Sequence, residues 1–128
     1  MIFIHVGKSK TGTTSIQLGL KRNRKRLLDL GYLYPKSGIE GFGHHNIFYD
    51  LSNSNHFEPE FGTFRDLVEE IKAFKLKWSN GHVILSSETF EVLTGREYGP
   101  DFHPLKKLYR AMKPVSYTHL TLPTILRV

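Results

Sequence analysis

The chain has 128 residues, 39% of them apolar, which is enough for one small domain with one core and no more. No run of 18 or more apolar residues occurs, so no segment reads as a membrane span, and Met1 leads into Ile-Phe-Ile-His-Val without the basic start of a signal peptide. Zero cysteines exclude disulfides and thiolate metal sites and fit a reducing cytoplasm, and a net charge of +6 favours an anionic partner.

In chain order, residues 2–6 read as a buried strand, followed by a turn rich in Gly, Lys and Thr over 7–14. A helix is expected from about Thr13 to Leu30, with Ile16, Leu20, Leu27 and Leu28 on its packed face and Gly31 as its stop. Tyr32-Leu-Tyr-Pro35 is either a short second strand or an extended passage. Residues 36–43 contain three glycines and read as loop. A short helix is expected over His45 to Leu51, then a polar loop from Ser52 to Pro59. Phe64, Leu67, Val68, Ile71 and Phe74 recur at helical spacing and predict a helix from about Thr63 to Trp78. Asn80-Gly81 is a turn before a second buried strand, His82 to Ser87. Further helices are expected near Glu88 and from Pro104 to Met112.

Strands alternating with helices imply a parallel sheet with crossovers, in which ligands bind beyond the carboxyl ends of the strands. If the two buried strands are neighbours, the loop after Val6 and the residues after Leu85 stand side by side.

The end of the chain is of a different kind. Val115-Ser-Tyr-Thr-His-Leu-Thr-Leu-Pro-Thr124 resembles a translation of the transposase adaptor used in sequencing libraries, and the junction at Pro114 and the terminus at Val128 agree with that frame. The expectation is therefore an N-terminal portion of a larger domain over residues 1–114 and a non-native tail over 115–128.

The chemistry centres on Gly7-Lys-Ser-Lys-Thr-Gly-Thr-Thr-Ser-Ile-Gln17. Gly7 and Gly12 have the spacing of a phosphate-cradling loop, in which glycines let successive N–H groups turn inward ahead of a helix. A nucleotide triphosphatase or kinase would place lysine after the second glycine, where this chain has Thr13; its lysine, Lys10, comes two residues before that glycine.

In that displacement the segment Lys10-Thr-Gly-Thr-Thr-Ser-Ile-Gln17 resembles the 5′-phosphosulfate loop of the sulfotransferases, especially bacterial and glycan-type members. The resemblance implies a partial P-loop-type, three-layer α/β domain with a parallel sheet and flanking helices, truncated at its C-terminus. It implies 3′-phosphoadenylyl sulfate as sulfuryl donor, no metal, and a hydroxyl or amine acceptor, with a glycan or glycolipid as the best match for this branch. Carried over by position, Lys10 contacts the oxygen bridging phosphate and sulfate. Ser9, Lys10, Thr11, Gly12, Thr13, Thr14 and Ser15 form the donor-binding set, and the N–H groups of 11–15 hold the 5′-phosphate. Charge would build on the leaving oxygen in a loose in-line transition state, and a lysine aimed at that oxygen stabilises it.

Val83-Ile-Leu-Ser-Ser-Glu-Thr-Phe90 resembles the family strand that delivers the acceptor-side base, so Glu88 is the expected second catalytic residue. Its other reading is an acidic residue opening a helix. His44 and His45 are alternative bases or acceptor contacts, or ordinary helix-start residues. The spacing of His44, His45 and His56 matches no metal-ligand pattern. The basic run Lys21-Arg-Asn-Arg-Lys-Arg26 reads as a solvated helix face in preference to a nucleic-acid surface. Family members carry an arginine and a serine for the donor's 3′-phosphate on a later strand and helix. No counterpart is present here, so little or no turnover is expected of this chain by itself.

Overall fold

Ile2 and Ile4 are buried while Phe3 and His5 are partly covered, the alternation of a strand whose two faces meet different layers. In the computed structural model, which describes residues 2–5, 13–87 and Arg110, this strand is β1 (Ile2–His5). The rest of the described order is α1 (Thr13–Arg22), α2 (Arg24–Asp29), β2 (Tyr32–Leu33), α3 (His45–Leu51), a 3-10 turn (Pro59–Phe61), α4 (Phe64–Lys77) and β3 (His82–Ser86). The three strands form one parallel sheet in the order β1-β3-β2, so the protein is an α/β structure with β3 at the centre.

β1 pairs with β3 in the register Ile2↔Val83 to His5↔Ser86, and β2 pairs through Tyr32↔His82 and Leu33↔Val83. The condition set by the sequence is therefore met: the two buried strands are neighbours and end together. Ile2, Ile4, Leu33, Val83 and Leu85 form a core with Ile47, Phe48 and Leu51 of α3 and Leu67, Ile71 and Phe74 of α4. The opposite sheet face carries Phe3, Tyr32 and His82, whose rings pack together, and at its carboxyl end His5 and Ser86, which face α1.

The helix expected over 13–30 is two helices. The interruption falls at Asn23, whose side-chain amide donates to the Gly19 carbonyl at 2.7 Å and so competes with its own helical N–H bond to that carbonyl at 3.0 Å. The expected packed face is also different, because Ile16 and Leu28 are exposed and, among the described side chains of α1, the buried one is Gln17. Gly31 does end α2, at a φ of 85° that a side chain would oppose. α3 and the Asn80-Gly81 turn fall where the sequence placed them, and α4 lies within the expected span. Among the described residues no helix is long and apolar enough to cross a membrane. The helix near Glu88 and the tail 115–128 lie outside the described residues. So does the helix from Pro104 to Met112 apart from Arg110, which is helical and exposed.

Candidate functional site

The carboxyl ends of β1 and β3 are tied one residue past their register, where the Ser87 N–H donates to the His5 carbonyl at 3.0 Å. Beyond His5 the chain enters the glycine-rich segment, and beyond Ser87 comes Glu88. α1 opens at Thr13, on the far side of that segment. The topology thus brings the flanks of both sequence motifs to one end of the sheet.

Side-chain alternation sends the two serines at the end of β3 to different neighbours. Ser86 meets His5, with Oγ 2.8 Å from Nδ1, and accepts a hydrogen bond from Gln17 Nε2 at 3.1 Å. Ser87 meets His45, its Oγ 2.8 Å from Nδ1. Both serines are fully buried, so these imidazole–hydroxyl pairs hold the strand end and do not present nucleophiles to solvent.

His44 is bound more completely. Its backbone N–H donates to the Ser86 carbonyl at 2.6 Å, and the Ser86 N–H donates back to its Nδ1 at 3.1 Å. Since Nδ1 accepts, Nε2 carries the proton and donates to the Pro35 carbonyl at 2.8 Å. Burial, then the Arg24 guanidinium and neighbouring His45, hold its pKa down at about 3, against the hydrogen bonds that work the other way. A neutral imidazole with both nitrogens committed is a structural bracket, joining the chain after β2 to the end of β3. It is unsuited to the role of base.

The loop around this bracket is fastened by the basic helices. Arg24 donates to the carbonyls of Tyr34 and Pro35 at 2.8 and 3.3 Å and lies over the Tyr34 ring. Lys21 donates to the Gly41 carbonyl at 2.9 Å and sits over Phe42. The Tyr34 hydroxyl donates to the Phe42 carbonyl at 2.6 Å, and burial pushes that phenol far above its ordinary range. Two members of the basic run are therefore anchors, while Arg22, Lys25 and Arg26 form a solvated face. From below, Glu70 of α4 accepts the backbone N–H groups of Lys36 and Ser37 and the Ser37 hydroxyl at 2.8–3.1 Å.

Of the residues expected in the site, Ser9, Lys10, Thr11, Gly12 and Glu88 lie outside the described residues. Thr13 and Thr14 open α1, and Ser15 is exposed on its first turn. Among the described residues no group of three or more His, Asp or Glu side chains is arranged to hold a metal. An open cavity of about 400 Å³ lined by Gly31, Tyr32, Trp78 and His82 lies at the amino ends of β2 and β3, opposite the candidate site.

Sequence reading missed His5, Gln17 and Ser86 as a connected set. The one signal it offered was a polar residue, Gln17, directly beside Ile16 near the start of α1. Comparison with family models, with curated proteins and with solved structures found no match for this chain.

Proposed function

We propose that this chain is the donor-binding portion of a sulfotransferase of P-loop type, which transfers a sulfuryl group from 3′-phosphoadenylyl sulfate to an acceptor hydroxyl or amine. The observation that carries the reading is the parallel pairing of β1 with β3, His5 opposite Ser86. It supports a site in which the Lys10 loop and Glu88 leave adjacent strand ends, with the start of α1 beside them. In-line transfer needs a donor anchor and an acceptor base converging on one point, and loop and strand ends of an α/β sheet supply that convergence.

In this reading the N–H groups of the first turn of α1 hold the 5′-phosphate, where the helix dipole favours negative charge. Lys10 neutralises the leaving oxygen, and Glu88 takes the acceptor proton. The structural role of His44 strengthens Glu88 against that histidine as base. The acceptor is a glycan or glycolipid hydroxyl, on the likeness of the loop to carbohydrate-type members. The compartment is the cytoplasm.

The test is calorimetric titration of 3′-phosphoadenosine 5′-phosphate, the desulfated donor, into this chain. Saturable binding that Lys10→Ala weakens is expected, with any transfer from the sulfated donor falling roughly a hundredfold or more in the variant. Binding of adenosine triphosphate with magnesium, and none of the bisphosphate, would overturn the reading in favour of a nucleotidase or kinase.

A further inference from the structure

Gln17 is 2% exposed, yet it occupies a place on α1 where leucine or methionine would pack without any polar cost. A buried amide is destabilising unless it is hydrogen-bonded, and here its Nε2 donates to Ser86 Oγ. The same oxygen lies 2.8 Å from His5 Nδ1, and with the ring protonated at Nε2 the serine hydroxyl donates to Nδ1. A single chain of hydrogen bonds, Gln17 to Ser86 to His5, thus joins α1 to both strands at the end where the two motifs begin.

We infer that Gln17 is a positioning residue: it fixes the amino end of α1 against the ends of β1 and β3, and so sets where a phosphate held there stands relative to the acceptor side. This rests on the sulfuryl-transfer reading above. Gln17 lies four residues after Thr13, about 6 Å along the helix axis, so the first turn moves with it as one rigid piece. Displacements of about 1 Å cost transfer reactions on the order of a hundredfold, so a packed but unpinned helix would not suffice. The loop side is closed as well. A Cβ at Gly43 would stand 2.8 Å from Gln17 Nε2 and 2.9 Å from His45 Cε1, so a side chain there would push the amide or the imidazole from its place.

The test compares binding of 3′-phosphoadenosine 5′-phosphate by the wild-type chain, Gln17→Met, Gly43→Ala, Lys10→Ala and Thr63→Ala, with the unfolding midpoint of each. Thr63→Ala removes a helix cap on α4, remote from this junction, and controls for stability loss alone. Gln17→Met is expected to weaken binding roughly tenfold and Gly43→Ala about threefold, while Thr63→Ala leaves it unchanged. In ¹⁵N spectra of the imidazoles, His5 Nδ1 is expected to be the unprotonated nitrogen in the wild type and to lose its hydrogen-bonded shift in Gln17→Met. Wild-type affinity in both Gln17→Met and Gly43→Ala would overturn the inference and leave the functional reading standing, as would equal weakening by Thr63→Ala. Should Gln17→Met fail to fold, Gly43→Ala decides alone. A wild-type chain that does not bind the bisphosphate removes the functional reading and this inference with it.

Discussion

His44 does at the end of β3 what a further residue of β2 would do. Its backbone N–H donates to the Ser86 carbonyl, while its ring accepts the Ser86 N–H at Nδ1 and donates from Nε2 to the Pro35 carbonyl. Removing the ring would strand a buried N–H and weaken the hold on a carbonyl, each costing about 1–3 kcal/mol, so His44→Ala should lower stability by at least about 2 kcal/mol in a denaturant titration. The same ring makes stability pH-dependent. Its folded pKa, about 3, lies below the ordinary 6.5, so the folded state favours the neutral form. That contribution is fully present above about pH 6.5 and is lost as the pH falls toward 3, because the unfolded chain takes up the proton first. Melting temperatures from pH 7.5 to pH 4 should fall more steeply for the wild type than for His44→Gln; parallel slopes would contradict this account.

At the scale of elements, α4 and the α1–α2 pair are held by opposite means. α4 carries a capping box, with the Asp66 N–H donating to Thr63 Oγ1 at 3.1 Å and the Thr63 N–H donating to Asp66 Oδ2 at 2.9 Å, and basic residues in its last turn. Part of its helical stability is thus local, beside the core packing of Leu67, Ile71 and Phe74, and Thr63→Ala should cost about 1 kcal/mol, measurable as a shift of the urea midpoint at unchanged slope. α1 and α2 have no acidic residue in their first turns, and Asn23 divides them. They stay in place through tertiary anchors, namely Lys21, Arg24 and Gln17. For that reason α4 was legible from the spacing of Phe64, Leu67, Val68, Ile71 and Phe74, whereas the break at Asn23 was not. The apolar spacing of Ile16, Leu20, Leu27 and Leu28 continues straight across it.

For the molecule as a whole, β3 is the centre of the sheet and the strand from which the proposed site is reached. Its odd-numbered residues join the core with α3 and α4, and its even-numbered Ser86 closes the junction with α1. Phe48 is fully buried at the centre of that core, where truncation leaves a cavity as well as lost contacts. Phe48→Ala should therefore cost about 3–5 kcal/mol, a large share of the stability of a chain this size. Because the proposed donor site is assembled from strand ends that this core holds in register, bisphosphate should raise the melting temperature of the wild type and restore part of the loss in Phe48→Ala. A melting temperature that the bisphosphate leaves unmoved in both proteins would contradict a donor site on the folded state.

The amino-acid sequence by itself determined the alternation of strands and helices, the stop at Gly31, the extent of α3, β3 to within one residue, and the glycine-lysine loop that motivates the functional proposal. Each of these is written in neighbouring residues, as a local period, a turn dipeptide or a short motif. Only the tertiary structure decided that β3 lies between β1 and β2, that His44 is a bracket, and that Gln17, Ser86 and His5 form one junction. Those contacts span 69 and 81 positions of the chain, and no local period encodes them. They exist because a parallel sheet sets distant residues at the same height, and because a polar group buried there must find its partner among whichever residues the fold has brought beside it.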